Sequence, residues 1–302
     1  AEDGIRDCLL SRGLGDVYKR QVQDDSVVAL IAARNSGKSV LIKDLLYHKQ
    51  HMPVGTVISP TEIANSFFGD FIPPLFIHGE YSDEIVQKIL MRQQKVIQQI
   101  KKQEQKGGGK SNIDPRAFFI LDDCLYDASW TRSKYVRSLF MNGRHYKILF
   151  VLSMQYALGS PPNLRTNIDY SFILRENIVA NRKRLYESYA GIFPSFEIFC
   201  SVLDQTTNNY ECLVIRNNAP SNKLEDQVFW YKADMHSDFK IGSKVIWDYS
   251  RKHCKQSEDA EAEYDPTQIN QKKNRTLIHV CLLYTSDAAD DTPCVDLGGR
   301  RI

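Results

Sequence analysis

The stretch SVVALIAARNSGKSVLIKDLLYHKQ, residues 26–50, decides the fold. Residues 26–33 are a short, nearly continuous apolar run, as a strand buried on both faces of a parallel sheet requires. Residues 38–50 place Val40, Leu41, Asp44, Leu45 and His48 at helical spacing. Between strand and helix, the loop ends as the phosphate-binding pattern G-x-x-x-x-G-K-[ST] demands, although Ala32 stands where the pattern has its first glycine. Such a loop curls backbone N–H groups around phosphates while a helix N-terminus points at them. Gly37 permits close approach of backbone to phosphate, Lys38 would reach the β- and γ-phosphates, and Ser39 would bind Mg²⁺ at the start of the helix. Asn35 occupies a turn position where left-handed backbone is often needed, and Asn tolerates it better than most residues. Ala32, Asn35, Ser36, Gly37, Lys38 and Ser39 therefore read as a nucleotide site with an unusual first position. G-K-S alone occurs by chance; its place between a buried strand and an amphipathic helix is what gives it weight.

The two ends of the chain read differently. AEDGIRD (1–7) with SRGLGDVYKRQ (11–21), and CLLYTSDAADD (281–291) with VDLGGRRI (295–302), resemble translated arms of a transposase-based sequencing-library adapter, in the right order and frame. Residues 1–21 and 281–302 are accordingly set aside as adapter-derived, leaving 22–280 as the natural stretch. That stretch holds 33 Lys+Arg against 29 Asp+Glu, a net +4, too mild by itself to prove a nucleic-acid partner. Cys124, Cys200, Cys212 and Cys254 show no C-x-x-C spacing and no His pairing typical of zinc, so they read as reduced thiols in a cytosol-like compartment. No apolar run approaches the roughly 18–20 residues a membrane span needs. The expected organisation is one large domain over 22–235 followed by a polar, solvated tail over 236–280.

Four further runs predict strands: VGTVIS (54–59), AFFILDD (117–123), ILFVLSMQ (148–155) and YSFILRE (170–176), with ECLVIRN (211–217) as an edge strand. A long amphipathic helix over 83–106 is broken by GGGKS at 107–111. Strands separated by helices argue for an α/β fold with a mostly parallel sheet flanked by helices. In such sheets ligands bind beyond the C-terminal ends of the strands. At that edge Asp122 would hold Mg²⁺ through water, and Asp123 would orient or deprotonate an attacking water. A second acidic residue in this place favours hydrolases of the motor type over small-molecule kinases. Gln155 ends the next strand and could sense the γ-phosphate. Singly, the acidic pair could be a surface turn and Gln155 a capping amide; beside G-K-S they form a much narrower pattern.

Longer segments carry a family resemblance. NIDPRAFFILDDCLYD (112–127), LFMNGRHYKILFVLSMQY (139–156), PPNLRTNIDYSFILRENIVANRKR (161–184), YAGIFPSFEIFC (189–200), NYECLVI (209–215) and VFWYKA (228–233) resemble the poxvirus-type genome-packaging ATPases of nucleocytoplasmic large DNA viruses. That group lies within the FtsK/HerA superfamily of DNA-pumping motors, and the segments resemble its mimivirus and algal-virus branch. The resemblance covers about residues 22–235 and implies a P-loop NTPase fold of the RecA/ASCE type. It also implies ATP and Mg²⁺ as cofactors, double-stranded DNA as substrate track, a homo-oligomeric ring, capsid or packaging-vertex partners, and residence in the cytoplasmic viral factory or the virion. Lys38, Ser39, Asp122, Asp123 and Gln155 match the family's site positions, while Ala32 and Asn35 depart from its usual loop, which is closer to GKRGTGKS. Ring motors complete the site with an arginine from a neighbouring subunit; Arg144 is the first choice and Arg165 the second. Arg132, Lys134 and Arg137, or Arg182, Lys183 and Arg184, are candidate DNA contacts. The alternatives are another FtsK/HerA-type pump, a nucleotide kinase, which should carry an Arg-rich lid, and a nonhydrolysing scaffold.

Overall fold

The computed structural model describes residues 22–262, apart from 108–109, 125–127 and 222. The adapter-like ends and the basic run at 271–275 lie outside the described residues. The strands are β1 (Val27–Ile31), β2 (Gly55–Ile58), β3 (Ile77–His78), β4 (Ala117–Asp122), β5 (Ile148–Met154), β6 (Tyr170–Ile173), β7 (Glu211–Arg216) and β8 (Val228–Lys232). The longer helices are α1 (Lys38–Tyr47), α2 (Asp83–Gly107), α3 (Lys134–Asn142), α4 (Val179–Tyr189), α5 (Phe196–Thr206) and α6 (Lys244–Ala262). The strands form one sheet in the order β3-β2-β4-β5-β1-β6-β7-β8. β1 to β6 run parallel, whereas β7 and β8 are antiparallel to their neighbours. β7 is therefore not the edge strand its sequence predicts, since β8 covers it.

Alternation along the buried strands builds a core on each face. Val27, Ala29, Ile31, Phe119, Leu121, Phe150 and Leu152 face one layer, which α2, α3, α4 and α5 cover with Val86, Leu139, Leu185 and Phe199. Val28, Leu30, Phe118, Ile120, Leu149 and Val151 face the other, covered by Leu41, Ile42, Leu45 and Leu46 of α1. Gly55 lets the Phe118 ring lie flat on β2, for a Cβ there would stand 2.0 Å from the ring. Ser133 and Ser195 cap α3 and α5 by accepting backbone N–H bonds from Val136 and Ile198.

The region after 235 differs from its expectation where it is described. Phe239 and Ile241 are buried, Ile241 N–H donates to Phe71 O at 2.9 Å, and Ser243 N–H donates to Pro53 O at 2.8 Å. Ser250 is fully buried and its Oγ accepts from Leu75 N–H at 3.1 Å. Two apolar anchors amid polar residues are enough to dock this segment, and an average over composition hides them. Residues 1–255 and 256–302 form two units; of the second, only 256–262, continuing α6, are described.

The start of the fold is tied down by Asp24. Lys49 Nζ donates to Asp24 Oδ1 at 2.6 Å, Arg116 Nη1 to Oδ2 at 3.1 Å, and His51 Nε2 lies 2.8 Å from Oδ2. Burial works against the ionised carboxyl, but Lys49, His51 and Arg116 outweigh it and hold the pKa down at about 2. Since the folded value lies below the unfolded one, this stabilisation is complete above the ordinary carboxylate range and lost as pH falls through about 2. Asp24→Asn is expected to lower unfolding free energy by about 1–2 kcal/mol at pH 7, after allowance for partial solvent screening. In urea titrations the gap between variant and parent should shrink steadily below pH 4 and approach zero near pH 2.

Candidate active site

Parallel register sets three strand ends side by side. Ile31 pairs with Met154 and Asp122 with Ser153, so the residues following β1, β5 and β4 leave the sheet at one edge. Because β5 lies between β1 and β4, Gln155 stands between the phosphate loop and the acidic pair. Ala32 N–H donates to Met154 O at 3.0 Å and Asp123 N–H to Ser153 O at 3.3 Å, carrying the ladder into the loops.

The loop turns through two left-handed residues, Asn35 at φ 58° and Gly37 at φ 95°. Asn35 thus has the backbone its sequence position predicts. Ser36 Oγ donates to Ala33 O at 2.7 Å and closes the turn. Gly37 is the N-cap position of α1 and brings no side chain to the first N–H groups, which are left to an anion. Ala32 is buried with the α1-side core and its φ is not positive, so the backbone there does not need glycine. The departure at the first position is accommodated by packing.

The charged groups meet at this edge. Lys38 Nζ pairs with Asp123 Oδ1 and lies 4.0 Å from Asp122 Oδ1. Gln155 Nε2 donates to Asp123 Oδ2 at 3.0 Å, while its Oε1 accepts from Arg34 Nε at 3.4 Å. Ser59 Oγ, just beyond β2, donates to Asp122 Oδ2 at 3.1 Å. Burial raises the Asp122 pKa; Lys38 opposes that, and the Asp123 charge adds to it. Asp123 itself has φ 50°, a left-handed conformation that costs roughly 1–2 kcal/mol in a residue with a Cβ. Its hydrogen bonds to Ser153 and Gln155 and its ion pair to Lys38 hold it there.

The residues suit a hard divalent cation. Asp122 Oδ1 is buried without a hydrogen-bond partner, and Ser39 is exposed in the first turn of α1. A carboxylate oxygen with open lone pairs and a hydroxyl are oxygen donors of the kind Mg²⁺ takes.

The two arginine candidates are not brought to this edge. Arg144 precedes β5 and its Nη2 donates to Asp169 Oδ1 at 3.2 Å, at the end of the sheet where strands begin. Arg165 reaches Ser188 Oγ at 3.2 Å and lies over the Tyr189 ring, at the far end of α4. Arg144 precedes the sensor strand and so lies at the end opposite the phosphate loop, and Arg165 lies on the stretch that leads into the start of β6. Residues that sequence reasoning missed take their place around the loop: Arg34, Ser59 and Tyr210. The antiparallel entry of β7 delivers the turn before Glu211 to this edge, where the Tyr210 ring lies against Gly37. Arg34 was visible within the loop itself and Ser59 at a strand end; nothing local in the sequence marks Tyr210.

A family profile described as Poxvirus A32 protein matches residues 17–241. The chain belongs to the poxvirus A32 protein family. This is a family of genome-packaging ATPases, as the resemblance implied. An uncharacterized protein of Acanthamoeba polyphaga mimivirus is 43% identical over 235 residues, spanning 78% of this chain and 81% of its own. Another from Invertebrate iridescent virus 6 is 41% identical over 221 residues, spanning 72% and 81%. Among solved structures, the genome packaging NTPase of Sulfolobus turreted icosahedral virus 2, in complex with sulfate, aligns with a TM-score of 0.49. Its identity is 16%, over 72% of this chain and 100% of that one. For this A32-family chain the phosphate loop makes a sharp prediction. Gly37→Ala forces a left-handed alanine whose Cβ would stand 3.1 Å from the Tyr210 ring. Nucleotide affinity, read by titration with a fluorescent ATP analogue, should fall about tenfold or more, in line with 1–2 kcal/mol of strain and lost N–H contacts. Asn35→Gly should leave it within about twofold.

Proposed function

We propose that the chain couples ATP hydrolysis to movement of viral double-stranded DNA into a preformed virion, working as a homo-oligomeric ring. The observation that carries this reading is the convergence of Lys38, Asp122, Asp123 and Gln155 at one sheet edge. Lys38 exchanges its pair with Asp123 for phosphate oxygens; the freed carboxylate then orients a water against the γ-phosphate and accepts its proton. Ser39 and Asp122 would hold Mg²⁺, which would supply charge neutralisation for the bound nucleotide. Gln155, bonded to both Asp123 and Arg34, relays the state of the γ-phosphate to the loop.

A ring is built from heterologous contacts, in which different patches of one chain meet. An arginine remote from its own phosphate loop can therefore serve the next subunit's site, the role assigned here first to Arg144, whose side chain is 56% exposed, and second to Arg165. For the DNA track, Arg132, Lys134 and Arg137 are all exposed along α3 and the turn before it, whereas Arg182 is held by Asp204 through paired bonds of 2.9 and 2.6 Å. The first cluster is thus the better phosphate-contacting surface. Capsid or packaging-vertex proteins would be the ring's seat, in the cytoplasmic viral factory of the infected cell and on the virion.

ATP turnover by the full chain should rise with duplex DNA. Lys38→Ala and Asp123→Asn should each lower turnover by about 100-fold or more while leaving the thermal melt cooperative. Turnover that ignores DNA in a folded, assembled protein would sink the translocation reading, and turnover unchanged in Asp123→Asn would sink the assignment of the base. Replacing Arg132, Lys134 and Arg137 by Ala should weaken DNA binding regardless of sequence. It should also reduce the slope of log affinity against log salt by about 0.9 for each phosphate contact removed.

A further inference from the structure

α1 carries a second cluster of ligating groups away from its N-terminus. Asp44 and His48 are one turn apart on the same helix face. His236, in the segment after β8, descends on both: His48 Nε2 lies 3.5 Å from Asp44 Oδ1, and His236 Nε2 pairs with that same oxygen. The three donor atoms lie within 4.8 Å of one another. Asp44 is fully buried, and its second oxygen, Oδ2, is held by the Tyr231 hydroxyl. The Tyr47 ring stacks on the His236 imidazole, centroids 3.6 Å apart and planes 7° from parallel, which fixes its direction.

We propose that Asp44, His48 and His236 form a binding site for a divalent transition-metal cation of the Zn²⁺ type. Two imidazole nitrogens and one carboxylate oxygen are a borderline donor set that suits Zn²⁺ and not the all-oxygen preference of Mg²⁺ or Ca²⁺. Zinc ligand bonds of about 2.0–2.1 Å in a tetrahedron put donor atoms roughly 3.3–3.4 Å apart; the His48 and Asp44 atoms already have about this spacing, and His236 Nε2 would draw back from Asp44 Oδ1 to admit the cation. Without a cation, the two imidazole nitrogens converge on a single carboxylate oxygen. With one, the three donor atoms would share a single ligand. The side chains of His48 and His236 are 15% and 12% exposed, which admits a water as fourth ligand. Tyr231 acts from behind, orienting Asp44 through its outer oxygen. The site would clamp the phosphate-loop helix to the chain that follows β8, and it uses none of the cysteines.

The test uses the full chain, stripped with chelator and titrated with Zn²⁺ and, separately, with Co²⁺ as a visible probe. One Zn²⁺ per chain, visible Co²⁺ bands of tetrahedral type, and a Zn²⁺-dependent rise in melting temperature are expected. His48→Gln and His236→Gln should abolish all three, while Tyr231→Phe, which keeps every ligand, should weaken uptake about 10–100-fold. Lys38→Ala and Asp122→Ala should leave uptake unchanged, separating this site from the ATP site. No uptake by the parent chain, uptake unaltered in both histidine variants, or a thiolate-to-Co²⁺ charge-transfer band would overturn the proposal.

Discussion

The ammonium of Lys38 faces two carboxylates that the fold sets side by side at a buried strand end. Burial in such a place raises the pKa of Asp122, and the neighbouring Asp123 charge adds to it. One cation between them makes the pair tolerable, and its pairing with Asp123 keeps a strained backbone in place. The rest of the site is arranged around this group. Strand β4 supplies the acids, β1 and α1 supply the lysine, and β5 must lie between them for Gln155 to reach Asp123.

That arrangement is held from both faces of the sheet. On one side α1 buries Leu41, Ile42, Leu45 and Leu46, so Lys38 and Ser39 extend from a helix that is itself immobilised by the core. On the other, the aromatic and apolar residues Tyr189, Phe193 and Phe199 close the second layer, which is where the stretch 189–200 goes. Because β7 runs antiparallel to β6, it starts at the phosphate edge, and Tyr210 just before it comes to rest on Gly37. A loop that was designed by sequence to approach phosphate is thereby also approached by an aromatic ring.

How much of this could be read in advance depended on range. β1, the loop and α1 were legible because burial on both faces, left-handed turns and helical spacing are all local signals; Asn35 and Gly37 adopt the predicted backbone. Asp122, Asp123 and Gln155 were legible because each ends an apolar run, and parallel strands end together. The two-residue β3 was too short for any periodicity, and β8 follows directly on a short helical turn at Leu224–Gln227. Arg144 shows the converse limit: adjacency to β5 in sequence says nothing about which end of β5 it occupies until the direction of the chain is taken into account. Docking of the segment after 235 rests on Phe239 and Ile241, contacts that only the folded sheet can reveal.

Asp44 and His236 are separated by 192 positions. At about 5–20 residues per second of synthesis, α1 waits roughly 10–40 s on the ribosome before the partners that cover Asp44 emerge. Every motif residue, from Lys38 to Gln155, has been translated by then. The phosphate-loop helix is accordingly among the first elements made and among the last to be finished, so a chain interrupted after β6 would carry the whole nucleotide signature on a helix with an uncovered buried acid.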